Sequence, residues 1–251
     1  MLDNRLKQER DKERLFQKKI TYTIPLNIFQ CWHSDELPNS LKESIENIKR
    51  NNPEFSHHLY NDKTCRAFIQ SNFEEEVLHA YDSLVPHALR IDLWRYCILY
   101  KYGGIYLDVK YHCIHDFKFI YLVDQEYFCQ DLKESGLGIY NAILICERNN
   151  KVLLRCIHKI VENVKNEFYG KNGLEISGPM MIKPILSDYV YELNLFHRYT
   201  RIENEMFFYI CYHTFPILQI NVHYRKDQKE KGEVWSEHYY KRTVYRKVSG
   251  V

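Results

Sequence analysis

The sequence predicts an α/β domain built on a predominantly parallel sheet, and three observations carry that prediction. Short apolar runs of strand length alternate with longer segments whose apolar residues recur at helical spacing. One of these helices, 86–102, runs directly into a Gly-Gly pair and another apolar run, the order expected of helix, cap and strand. A chain of 251 residues, 45% hydrophobic and 27% charged, suits one sizeable core, and it carries no internal repeat or low-complexity stretch.

Residues 1–20 form a charged helix or arm outside the core, with Leu2, Leu6, Leu15 and Phe16 as apolar anchors, and 21–251 form a single domain. Tyr22–His33 reads as a strand with Pro25 at its entrance. Ser40-Leu41-Lys42-Glu43 is a capping-box pattern that opens a helix to about Arg50, stopped by Asn51-Asn52-Pro53. Phe55–Tyr60 is a second strand, and Asp62 caps a helix running to about Gln70. A short helical piece at Phe73–Tyr81 precedes Pro86, which suits a first helical turn. From there Leu89, Leu93, Trp94, Cys97, Ile98 and Tyr102 share helical spacing up to Gly103-Gly104, and Ile105–Val109 reads as a buried strand. The alternation continues with a strand at Gly138–Cys146, a helix at Val152–Val164, a Ser-Gly-Pro turn and helix within 174–186, and strands around Phe215–His223.

A net charge of +2 excludes a global field for nucleic acid, and the basic residues at both ends are interleaved with acids, the pattern of a solvated helix. No apolar run reaches transmembrane length, and the N-terminus has no signal-peptide core. The eight cysteines are scattered without a C-x-x-C pair, which points to a reducing compartment, the cytosol rather than the secretory route. Tyrosine is abundant, at 21 residues, which suits polar ligands such as sugars and equally suits core filling.

The chemistry concentrates in 88–110. Asp92 and Arg95 are three apart on one helix and share a face, while Asp108 lies at the carboxyl end of the following strand, where ligands of open α/β sheets sit. Two carboxylates and a guanidinium in one neighbourhood suit a sugar diphosphate; a plain intrahelical ion pair and a strand-end turn are the structural alternative. The stretch ALRIDLWRYCILYKYGGIYLD, 88–108, resembles the DXD-containing glycosyltransferase family 32, which includes yeast-type initiating mannosyltransferases. IPLNIFQCWH, NAILICERNNKVLLRCIHKIVENV and the Ser-Gly-Pro turn at 177–179 extend the likeness over roughly 22–186, in a flavour similar to members from large DNA viruses.

The resemblance implies a GT-A fold, a UDP- or GDP-sugar donor, a glycan or glycoprotein acceptor, Mn²⁺ or Mg²⁺, and transfer with retention. It places Asp108, Asp92, Arg95 and Asn141 in the catalytic centre. It makes Trp32, Arg90, Tyr106, Lys110, Trp235 and Ser236 donor-binding candidates, and Asp108, His223 and His238 metal candidates, with Arg225 a further tail residue near them. Trp32 is also a reasonable core residue. The chain departs from the family at GGIYLDVK: Lys110 stands where D-x-D has its second carboxylate, and a protonated lysine offers a metal no lone pair. Asp108 alone could hold the ion, with the diphosphate and tail completing its shell. Lys110 could instead supply the charge itself, or the protein could be a non-catalytic nucleotide-sugar or glycan-binding module. His112-Cys113-Ile114-His115-Asp116 alternates faces and has no matching second ligand group, so it does not read as zinc.

Overall fold

A computed structural model describes residues 2–224 and 235–246. After the N-terminal helix α1 (Leu2–Phe16), strand β1 (Asn27–Cys31), helix α2 (Asn39–Asn51) and strand β2 (Ser56–Tyr60) make a parallel unit. Three helices follow, α3 (Asp62–Asn72), α4 (Glu75–Ser83) and α5 (His87–Tyr102), and α5 feeds β3 (Gly104–Leu107). Then come β4 (Tyr111–Cys113), β5 (Tyr127–Gln130), β6 (Ile139–Cys146), α6 (Lys151–Lys165) and α7 (Pro179–Ser187). Strands β7 (Leu195–Ile202), β8 (Glu205–Tyr212) and β9 (Phe215–Ile220) follow, and α8 (Trp235–Tyr240) is the last helix among the described residues.

Among the described residues the strands form one sheet in the order β2-β1-β3-β6-β5-β7-β8-β9-β4. The α/β architecture stands, but the expectation of a predominantly parallel sheet does not. Parallel pairing is confined to β2–β1–β3 and to β5–β7, and every other junction is antiparallel. The reason lies in the connections. Helical crossovers carry the chain between the first three strands, whereas two-residue turns join β7, β8 and β9 and force them antiparallel.

The period-two alternation of the strands divides the core. Tyr106, Leu144 and Cys146 face the layer of helices α3–α7, while Ile105, Leu107, Ile143 and Ile145 face a second cluster with Leu15, Phe117 and Ile217. Leu15 is fully buried there and the Thr214 backbone N–H bonds to Asp11, so α1 is a helix as expected but docks its C-terminal end instead of standing clear.

Three boundaries differ for local reasons. Thr23 and Ile24 donate to the Val123 carbonyl rather than to a strand, so β1 begins only after Pro25. Helix α2 starts behind Pro38, whose carbonyl accepts from Leu41 and Lys42, and buries Ser40 within the helix instead of using it as a cap. Asn61 and Thr64 form the capping box of α3, which releases the Asp62 carboxylate for other partners.

The α5–β3 junction sets the position of everything that follows. Gly103 takes φ +64 as the helix cap, and Gly104 takes φ +118 where an added Cβ would lie 2.7 Å from the Asn27 carbonyl oxygen. That close approach is what lets β3 sit against β1. Gly104→Ala therefore combines an unfavourable φ with a backbone clash and is expected to destabilise the protein by about 2–3 kcal/mol. Equilibrium urea unfolding checks this, with an unchanged midpoint as the contrary result.

Candidate active site

Helix α5 presents Asp92 and Arg95 on the face toward β3 and β6, and the turn after β3 brings Asp108 and Lys110 to the same place. Arg95 is the hub. Its Nη2 lies 3.2 Å from Asp92 Oδ1 and its Nη1 3.6 Å from Asp108 Oδ1, so one buried guanidinium bridges both carboxylates. Nη1 also donates to the Asn141 carbonyl at 2.5 Å, Nε donates to the Ile91 carbonyl, and the guanidinium lies 4.3 Å from the Tyr106 ring centroid. Burial opposes its charge, but Tyr106, Asp92 and Asp108 outweigh that and hold the pKa above the usual arginine value.

The two carboxylates have different surroundings. Asp92 accepts from Ser177 Oγ at 2.7 Å and from Asn141 Nδ2 at 2.8 Å. Burial still dominates, and its carboxyl is pushed up to about 6 despite Arg95. Asp108 accepts from the Tyr106 hydroxyl at 2.7 Å and from Lys110 Nζ at 2.8 Å. Burial pushes Asp108 up as well, but Lys110 and Arg95 together more than reverse it and leave its pKa below the ordinary aspartate value. A second cation thus separates an ionised carboxylate from one that titrates near neutrality.

These groups floor a cleft of about 1000 Å³. On one wall, Asp62 binds His87 Nδ1 at 2.8 Å and Arg90 Nη2 at 2.7 Å. On the other, Asp131 Oδ1 lies 2.9 Å from His197 Nδ1, and His197 stacks on Tyr140 with centroids 3.9 Å apart. Trp32, Tyr224, Trp235 and His238 complete the rim.

Of the sequence-predicted residues, Trp32, Arg90, Asp92, Arg95, Asp108, Lys110, Asn141, Trp235 and His238 line this cleft. Three do not. Tyr106 is fully buried beneath Asp108, so it orients the carboxylate rather than meeting a ligand. Ser236 is on α8 but away from the cleft lining, and His223 is exposed outside it. Arg225 lies outside the described residues. Asn141 spends both amide hydrogens on Asp92 and the Tyr96 hydroxyl, which makes it a brace for Asp92. Arg90 likewise spends its donors on Asp62 and on the Leu84 and Val85 carbonyls.

Sequence reasoning missed Ser177, read only as part of a turn, although its hydroxyl anchors Asp92. It also missed Asp62, read as a helix cap. The Asp131–His197 pair gave no signal, because the two residues are 66 positions apart.

Residues 38–128 match the profile of the family described as the glycosyltransferase sugar-binding region containing a DXD motif. A glycosyltransferase of Acanthamoeba polyphaga mimivirus, itself uncharacterized, is 36% identical over 92 residues, 36% of this chain and 37% of the relative. Inositol phosphoceramide mannosyltransferase 3 of Schizosaccharomyces pombe is 37% identical over 90 residues, 36% of this chain and 25% of the relative. The match thus spans between a quarter and little more than a third of the length of these curated relatives. Among solved structures, the PaToxG glycosyltransferase superposes with a TM-score of 0.51 at 17% identity, covering 74% of this chain and 79% of that one. The fold is of the GT-A glycosyltransferase type.

Transferases with a DXD region generally use a divalent metal, so the expected Mn²⁺ or Mg²⁺ must be set against the residues present. Lys110 stands at the position of the second D-x-D carboxylate, and its Nζ lies 2.8 Å from Asp108 Oδ2. A divalent ion about 4 Å from that ammonium would meet roughly 8 kcal/mol of repulsion at an effective dielectric of about 20. Among the described residues no group of three or more His, Cys, Asp or Glu could hold a metal. His223 is outside the cleft, and His238 Nδ1 is 3.0 Å from Thr243 Oγ1. Among the described residues, the lining of this cleft therefore does not fit the ion.

The raised Asp92 pKa has a thermodynamic consequence. Between the ordinary value of 3.8 and about 6, the folded protein holds a proton that the unfolded chain has released. The stability that Asp92 contributes is thus fully present at low pH and falls as pH rises through that window. The melting temperature of wild type relative to Asp92→Asn is expected to decline from about pH 4 to about pH 7. A difference that instead grows with pH would mean Arg95 keeps Asp92 ionised throughout.

Proposed function

We propose that this protein is a glycosyltransferase that moves a hexose from a UDP- or GDP-sugar to a hydroxyl of a glycan or glycoprotein, with retention at the sugar carbon. The observation that carries this reading is the convergence of Asp92, Arg95, Asp108 and Lys110 on the floor of one cleft at the carboxyl end of β3. The mannosyltransferase relative supports a hexose as the transferred group.

In this reading the protein supplies orientation and electrostatics. The bond from the sugar carbon to the diphosphate breaks with its electron pair staying on the phosphate oxygen. The acceptor hydroxyl oxygen takes the vacated position, and its proton passes to that phosphate oxygen. Asp92, fixed by Ser177, Asn141 and Arg95, keeps lone pairs to accept from sugar hydroxyls. The aromatic rings of Trp32 and Tyr224 suit the base and its ribose, and Tyr140, stacked on His197, offers a flat wall to the sugar or the acceptor. All eight cysteines are free, in support of a reducing compartment such as a host cytosol.

Hydrolysis and transfer screens with UDP- and GDP-linked glucose, galactose, N-acetylglucosamine and mannose test the reading. One donor is expected to turn over, and Asp108→Asn is expected to lower kcat by about 10²-fold or more, since it removes the negative charge that pairs with Lys110 and Arg95. The α-anomer of the product, read by proton NMR, checks retention. Nucleotide binding without turnover of any donor, even with a pooled glycan acceptor, would leave a binding module instead.

A further inference from the structure

We infer that Lys110 takes the place of the divalent cation, so that the donor's diphosphate binds directly to its ammonium and the site works without metal. This rests on the donor reading above and adds to it the identity of the charge that receives the leaving group.

Three observations carry it. The first is position. Lys110 Nζ sits 2.8 Å from Asp108 Oδ2, beside the one carboxylate of the D-x-K motif, and it lines the cleft. The second is charge balance. Two carboxylates with a divalent ion are neutral together, and Asp108 with Lys110 is already neutral. A donor therefore meets the same net charge in either arrangement, with no cation left to recruit.

The third is the count of donors. An ammonium has three N–H bonds, and among the described residues Asp108 accepts one from Lys110. The Tyr111 and Tyr140 rings stand off at 5.7 and 5.8 Å, close enough to stabilise the cation but not to consume its hydrogens. Arg90 and Arg95 line the same cleft, yet each is committed to a carboxylate and to backbone carbonyls. Lys110 thus keeps the donors that a phosphate oxygen needs.

A bound diphosphate would lie between Lys110 and the cleft mouth, near Tyr224 and the tail helix α8. As the sugar bond breaks, the charge left on the phosphate oxygen develops against a fixed ammonium rather than a mobile ion. Lysine is a compact point charge, suited to tracking that oxygen without the bidentate geometry arginine imposes.

Isothermal titration of UDP and of GDP into the full chain tests this, in EDTA and in Mn²⁺. Wild type is expected to bind one nucleotide with affinities within about twofold in the two conditions. Lys110→Ala is expected to lose about tenfold or more in EDTA, the scale of a lost charge-assisted hydrogen bond. Lys110→Asp, which rebuilds two carboxylates, is expected to bind in Mn²⁺ and to fail in EDTA. Circular dichroism and melting curves confirm that the variants fold, and the wild-type comparison needs no variant at all. Wild-type binding that appears only with Mn²⁺ overturns the inference while leaving the donor reading intact, as does unchanged EDTA binding by Lys110→Ala. No binding of either nucleotide in either condition refutes the donor reading itself, and the inference falls with it.

Discussion

The site depends on one buried guanidinium. Taking an arginine out of water costs several kcal/mol unless its hydrogens and charge are met inside the protein. Arg95 meets that requirement with Asp92 at 3.2 Å, Asp108 at 3.6 Å, two backbone carbonyls and the face of Tyr106. Because those partners come from α5, from the turn after β3 and from β6, satisfying Arg95 also fixes how the three elements dock. The carboxylates of the cleft are therefore positioned by the folding of the core, before any ligand arrives. Around this hub the network closes through neutral groups: Tyr96 donates to the Ser177 carbonyl and accepts from Asn141, which in turn holds Asp92. A buried polar network of this kind is stabilising only when every member is satisfied, and each of these members is.

Much of this was legible in the sequence where the relevant residues are close along the chain. The i, i+3 spacing of Asp92 and Arg95, the double glycine that turns helix into strand, and Asp108 at the strand end all lie within 17 consecutive residues. Local periodicity was enough to place them together. The parallel sheet was overcalled because strand–helix alternation was read through the whole chain, whereas β7 and β8 are tyrosine- and charge-rich hairpin strands with weak apolar alternation. Their exposed edge residues hide the pattern that strand prediction relies on.

The site partners that went unread are long-range. Ser177 reaches Asp92 across 85 positions, and Asn141 reaches it across 49. Asn141 was a candidate through the family resemblance, but its role as a brace emerges only from knowing that Tyr96 and Asp92 lie on either side of its amide. Tyr106, a motif position, likewise turned out to act from below: it is buried in the helix-facing core beneath Arg95, and its hydroxyl reaches the Asp108 carboxylate from inside that core. Lys110 was the reverse case. Its chemistry was plain in the sequence, and the geometry supplied what the sequence could not, a 2.8 Å contact with the carboxylate it was expected to disturb.

The central claim is that a protein ammonium, and not a metal ion, faces the donor's diphosphate at Asp108. The most direct measurement is a crystal structure of the nucleotide complex grown in Mn²⁺, with anomalous data collected at the manganese edge. The account predicts no anomalous peak beside Asp108 and a phosphate oxygen within hydrogen-bond distance of Lys110 Nζ. A peak bridging Asp108 and the phosphates, with Lys110 displaced from the carboxylate, would contradict it.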